Sequence, residues 1–106
     1  MKSLTFCFLF FCLIQVQGEE CKVNWEKKCA MCHGQDGKGD TPAGKKLKAR
    51  DYTDPKVQAA LKDEEMFKAI KEGIKKDSAV KMPAQPKLSD EEIKALIAHV
   101  RSLKSN

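Results

Sequence analysis

Beyond residue 18 the chain is nearly without aromatic residues. Phe6, Phe8, Phe10 and Phe11 account for four of its five phenylalanines, and only Trp25, Tyr52 and Phe67 follow them. Three large rings make a thin core for the 88 residues that remain, a size at which domains are already marginal. Apolar mass from outside the polypeptide would fill the deficit. The chain also lacks an internal repeat, a low-complexity linker and any segment with strand-like alternation. It has no basic arm and no basic stripe with interleaved aromatics, which argues against nucleic acid as a partner. After residue 18 there are nineteen Lys/Arg against fifteen Asp/Glu, a net of +4. The charges alternate in sign along presumed helices, as on solvated faces.

Long apolar runs are missing everywhere except at the start. Lys2 is followed by Leu4 to Val16, with Phe8, Leu9, Leu13 and Ile14 among its members. The run is short for a membrane span, and Val16-Gln17-Gly18 supplies small residues at its end. We read residues 1–18 as a cleaved secretory signal and residues 19–106 as one domain. A buried core helix or an uncleaved anchor is the competing reading. Cys7 and Cys12 fall in the signal, leaving Cys21, Cys29 and Cys32. An odd count in an exported chain argues against a simple disulfide framework.

The remaining pattern is helical. A first helix is expected over about Lys22 to Cys32, with Val23, Trp25 and Cys29 near one face. It ends before a loop, Gly34 to Pro42, rich in glycine and aspartate. Asp54-Pro55 opens a second helix, with Asp54 as cap and Pro55 at the first position. Val57, Ala60 and Leu61 give it an apolar side. Asp63-Glu64-Glu65 starts a third, where Met66, Phe67 and Ile70 recur at helical spacing and Gly73 suits the stop. A loop is expected from Ile74 to Lys87. Ser89 and Glu92 then form a capping box ahead of Ile93, Leu96, Ile97, Val100 and Leu103, the clearest apolar stripe in the chain. The expectation is an all-α domain of about four helices, with no strands.

The chemistry lies in Cys29-Ala30-Met31-Cys32-His33. Two thiols at this spacing can each add to a haem vinyl group, and the adjacent histidine then sits beneath the iron. The pentapeptide is a c-type haem attachment signal. Two rivals stay open. A bare Cys-x-x-Cys can be a dithiol redox motif, though no βαβ pattern accompanies it. Cys21, Cys29, Cys32 and His33 could also hold a structural zinc, with an unusual first spacing. Under the haem reading, Met82 is the candidate second axial ligand. It lies in a loop stiffened by Pro83 and far along the chain from His33. Met31 is held inside the motif, and Met66 fits a helix core. His99, the other histidine, is the competing ligand. A thioether favours ferrous iron, so Met/His ligation raises the potential.

These residues resemble the class I cytochromes c, most closely the short bacterial members. The resemblance spans nearly the whole chain after the signal. It rests on Trp25 to Gly34, on Lys81-Met82-Pro83 and on Leu88 to Leu103. It implies one covalent haem c inside a small cytochrome c fold, with His33 and Met82 as axial ligands. It further implies that the Pro42 carbonyl accepts the second N–H of His33. Two departures stand out. Cys21 replaces a customary glycine, and His99 replaces a customary aromatic residue. Both family positions lie where the first and last helices cross, so Cys21 is expected near His99 and away from the iron.

The resemblance therefore implies a monohaem one-electron carrier, not an enzyme, since both axial positions would be filled. Its partners would be redox proteins, met transiently and with docking to a membrane complex allowed. The chain would be monomeric and periplasmic. Lys28, Lys45, Lys46 and Lys81 are candidates to face an acidic partner, and Arg50 and Tyr52 to bond the propionates. A rival from another class is a haem-based sensor or peroxidase, which would need an open sixth site. Export from a secreting host should yield a chain starting at about Glu19, read by intact mass. Recovery of a product that keeps residues 1–18 would make the segment an anchor instead.

Overall fold

The computed structural model describes residues 20–105. The signal reading therefore falls outside the described residues. Helix α1 occupies residues 20–33 and ends in a π-helical segment, Trp25–Cys29, followed by a last α-turn, Ala30–His33. Helices α2 (Pro42–Leu47), α3 (Pro55–Ala60) and α4 (Asp63–Glu72) come next. A two-stranded antiparallel hairpin, β1 (Ile74–Lys76) and β2 (Ala79–Met82), precedes the final helix α5 (Asp90–Ser102). The chain is mostly helical, as expected, with five helices among the described residues in place of about four.

The two additions have physical reasons. Thr41-Pro42 is a helix start: the Thr41 hydroxyl accepts the Gly44 N–H at 2.8 Å, and Pro42 takes the first position. The neighbouring glycines hid this signal. The hairpin replaces part of the expected loop. Its Asp77 and Ser78 both adopt positive φ, 53° and 67°, as a two-residue hairpin turn of the right twist requires. Asp-Ser is a weak version of the usual Asn-Gly signal. The lysine-rich strands are exposed except at half-buried Met82, so no alternation marks them.

Helix α5 carries the core. Ile93 and Leu96 are fully buried, and Ile97 and Val100 nearly so. Each such side chain contributes about 1.5–3 kcal/mol. Both halves of the capping box are formed between Ser89 and Glu92. Met66 and Ile70 of α4 and Trp25 and Cys29 of α1 join the same cluster. At the α1–α5 crossing the Cys21 thiol donates to the Ala95 carbonyl at 3.3 Å, while the His99 ring covers Trp25 at 4.7 Å. Cys21 thus meets α5 one turn ahead of His99, and the partner of His99 is Trp25.

Helix α3 behaves differently from its expected apolar face. Ala60 is exposed and Leu61 lies just past the end. Its buried side chain is Gln58, 4% exposed. The Gln58 amide donates to the carbonyls of Tyr52 at 2.7 Å and Val100 at 2.8 Å. Arg101 reaches back from α5, donating to the Gln58 carbonyl at 2.7 Å, its side-chain oxygen at 3.2 Å and the Leu61 carbonyl at 2.8 Å. It also pairs with Asp63 at 2.9 Å. The carbonyl bonds dominate, since Asp63 is largely exposed.

Arg101→Met should therefore lower unfolding free energy by about 2 kcal/mol through orphaned carbonyls. Asp63→Asn should cost about 0–1 kcal/mol. Denaturant midpoints check the pair, and equal losses would put the weight on the ion pair.

Candidate haem-binding site

The attachment turn is built at the end of α1. In the π segment the Ala30 N–H reaches the Trp25 carbonyl, which inserts one residue into the helical ladder. Both ends of the segment, Trp25 and Cys29, are buried. Cys32 and His33 follow on the next turn, each half-buried. Met31 between them is 79% exposed, pointing away from the core, as expected of a residue that cannot serve as a ligand.

The turn is held through its carbonyls. Those at a helix end have no helical donors. The Ala30 carbonyl still takes a helical donor, the Gly34 N–H at 2.8 Å, and the His33 carbonyl accepts the Gly39 N–H from outside the helix at 2.8 Å. The Thr41 hydroxyl donates to the Cys32 carbonyl at 2.8 Å. The indole of Trp25 donates to the Gly34 carbonyl at 3.1 Å. Helix α2 sits directly against this end. A Cβ on Gly44 would collide with the carbonyls of Cys32 and Gly39, so only glycine permits the approach.

All three cysteines after residue 18 are free. Burial raises the Cys29 pKa to about 11, with Cys21 and Cys32 adding to the rise and Lys28 opposing it. A thiol redox centre needs the reverse, a lowered pKa at a partly exposed thiol. The buried Cys29 thiol does not meet that need. Among the described residues no three His, Cys, Asp or Glu side chains converge to hold a metal ion, so the zinc set of Cys21, Cys29, Cys32 and His33 is not assembled. Two unpaired thiols and an imidazole on consecutive turns of one helix fit a porphyrin attached by thioethers.

His33 is surrounded by rings. Tyr52 lies 5.1 Å from it, centroid to centroid, at 26°, and Trp25 lies 5.9 Å away at 29°. Burial pushes the His33 pKa down, which favours the neutral imidazole that ligates metals. Its Nδ1 is buried and has no hydrogen-bond partner. The expected bond to the Pro42 carbonyl is thus not made, and Pro42 instead opens α2. Tyr52, expected at a propionate, has its ring on the imidazole. Arg50 is exposed.

Met82 ends β2, half-buried and packed against the core. Its backbone rests on Gly73, whose φ is +78°. A Cβ there would stand 2.7 Å from the Met82 carbonyl and 2.8 Å from the Ala84 nitrogen. The Gln85 N–H ties the following loop to Ile70 of α4 at 2.9 Å. Met66, by contrast, is 8% exposed inside the core. The His99 Nε2 is buried without a partner beside Trp25. Sequence reasoning missed the part played by Gln58 and Gly44, since a polar helix residue and a loop glycine carry no signal of contact. A groove of about 710 Å³ bordered by Asp63, Phe67, Ile97 and Arg101 includes none of Cys29, Cys32, His33 or Met82.

Comparison with known proteins agrees with the motif. Residues 17–100 match the family model described as cytochrome c oxidase, cbb3-type, subunit III. A solved structure described as "KustC0563 c-type cytochrome" is 37% identical. The match covers 79% of this chain and 96% of that one, with a TM-score of 0.68. No curated protein matches.

Gly73→Ala should cost about 1–3 kcal/mol, from the left-handed backbone and the contact with the Met82 carbonyl. Urea unfolding measures it. An unchanged midpoint would mean that the hairpin does not rest on Gly73 as described.

Proposed function

The chain belongs to the c-type cytochromes, the family of its cbb3 subunit III-type match, and from that membership we propose a monohaem electron carrier with His33 and Met82 as axial ligands. Membership makes it an electron-carrying haem protein with covalently bound haem c. The monohaem reading rests on a single Cys-x-x-Cys-His in all 106 residues. Cys29 and Cys32 form the thioethers. The observation that carries the proposal is the turn Cys29–His33, with free thiols, a neutral imidazole and its carbonyls tied down.

The haem supplies a one-electron ferric/ferrous couple. The chain's own task is to hold two ligands so that little moves when the electron does. His33 is fixed at the end of α1. Met82 comes from the hairpin, and its thioether favours the ferrous state and raises the potential. With both ligands in place no position is open to a substrate, which makes the protein a carrier and not a catalyst. Met66 is engaged in the core, and His99 is engaged with Trp25. Both facts support Met82 as the second ligand.

The setting follows from the leader. Residues 1–18 act as a signal, residues 19–106 form the domain, and the protein works in the periplasm as a soluble monomer. Among the described residues no helix is long and apolar enough to cross a membrane. Its partners are redox proteins, including membrane complexes met briefly. Lys28, Lys45, Lys46 and Lys81 are all exposed and available to steer an acidic partner.

The test is a reduced-minus-oxidised spectrum of protein exported from a haem-attaching host, taken after denaturing extraction. Haem that stays with the polypeptide and cycles with dithionite is the expected result. Extracted or absent haem would overturn the proposal. Met82→Ala should then lower the potential and admit exogenous ligands. A variant that keeps the parent's spectrum and potential would remove Met82 from the iron.

A further inference from the structure

A histidine that ligates haem iron can still rotate about the bond to the metal. A hydrogen bond from Nδ1 is the usual restraint on that rotation. Here Nδ1 is buried and has no partner, so the restraint must come from packing. Two rings supply it, both nearly parallel to the imidazole. Trp25 and His33 belong to the same helix, and Tyr52 approaches from the connection between α2 and α3.

Tyr52 is held more firmly than its place outside regular structure suggests. Its N–H donates to the Gly37 carbonyl at 2.8 Å. Its carbonyl accepts the buried Gln58 amide at 2.7 Å. The same amide is anchored to Val100 of α5, and Arg101 holds the Gln58 side-chain oxygen. Across Tyr52 from one neighbour to the other, the Asp51 carboxylate accepts the Thr53 hydroxyl and N–H. The Thr53 carbonyl in turn takes the Ser105 N–H at 2.8 Å. Two bonds fix the Tyr52 backbone, and a further set fixes the residues beside it. A backbone so constrained on both sides fixes where the ring is carried, and the ring lies stacked on the His33 imidazole at 5.1 Å and 26°.

We infer that Tyr52 is a positioning residue for the iron ligand: its ring, anchored through Gln58, sets the rotation of the His33 imidazole about the iron bond. The inference rests on His33 as axial ligand, and it goes beyond that reading by assigning how the ligand is oriented. The aromatic plane does this work and not the phenol hydroxyl, because the stacking geometry involves the ring alone. Gln58 contributes at one remove, since losing its amide frees the Tyr52 carbonyl and lets the ring shift.

The ligand-plane angle can be read without any partner protein. In the ferric holoprotein it sets the order and spread of the haem methyl proton resonances and the anisotropy of the g values. Tyr52→Phe should leave both as in the parent. Tyr52→Leu should change the methyl order or spread, and Gln58→Leu should move the same resonances in the same direction by a smaller amount. All are compared well below their unfolding midpoints. Tyr52→Leu spectra identical to the parent would overturn the inference. So would Tyr52→Phe spectra as altered as those of Tyr52→Leu, which would shift the role to the hydroxyl. Should Tyr52→Leu not fold, Gln58→Leu decides: unmoved resonances overturn the inference. A failure of the ligand assignment is separately visible, since the parent would then lack the low-spin ferric spectrum before any variant is compared.

Discussion

The carbonyls at the end of α1 govern the rest of the molecule. A helix that stops leaves its last carbonyls without donors, and here they belong to the turn that bears Cys29, Cys32 and His33. The structure satisfies them from the following chain, Gly39 donating to the His33 carbonyl and the Thr41 hydroxyl to that of Cys32, while the Trp25 indole takes the Gly34 carbonyl just beyond. The segment from Gly34 to Thr41 is consequently not a free loop. It folds back over the helix end, and that return is what brings α2 against Cys32 and requires glycine at position 44. A site that must not shift its ligand is thus rigid for a reason that begins with unpaired backbone groups.

The same economy operates at the far side of the domain. Helices α3 and α4 are short, and α3 has a polar residue as its buried member. Apolar contact alone would leave the 52–63 segment loosely attached. Gln58 and Arg101 attach it by carbonyl bonds to α5, the element with the largest apolar stripe. Helix α5 therefore serves three purposes. It supplies the fully buried Ile93 and Leu96, receives α1 at Cys21 and Trp25, and staples the segment that delivers Tyr52 to His33. Two helices distant in sequence become one framework through the crossing.

Much of this was legible in the residues. The Cys29–His33 motif, the Ser89–Glu92 capping box, the Asp54-Pro55 start and the Gly73 stop are local signals, and local signals survive folding. The core assignments of Met66 and Ile70 followed from periodicity. What escaped reading was contact at a distance. Nothing local at Gly44 says that two carbonyls stand where its Cβ would be. Nothing local marks Gln58, a polar helix residue, as buried. The hairpin was hidden because Asp77-Ser78 is a poor turn signal and exposed lysine-rich strands lack alternation. Pro42 was placed by resemblance at the histidine's second nitrogen, but the chain uses it to open α2.

That last difference shapes the site. An imidazole restrained by a hydrogen bond is fixed by direction, whereas one restrained by rings is fixed by plane. His33 has its Nδ1 buried and unpaired, a cost of about 1–3 kcal/mol that the surrounding structure must offset. The stacked contacts with Trp25 and Tyr52 are worth about 0.5–1.5 kcal/mol each, which is the same order. The scarcity of aromatic residues now reads differently. Of the three rings beyond residue 18, two are spent on one histidine, and only Phe67 stands apart from it. A chain with so few rings sets two of them where a ligand plane must be held, Trp25 serving the core as well, and leaves the rest of the filling to aliphatic and sulfur side chains and to the haem that the family attaches.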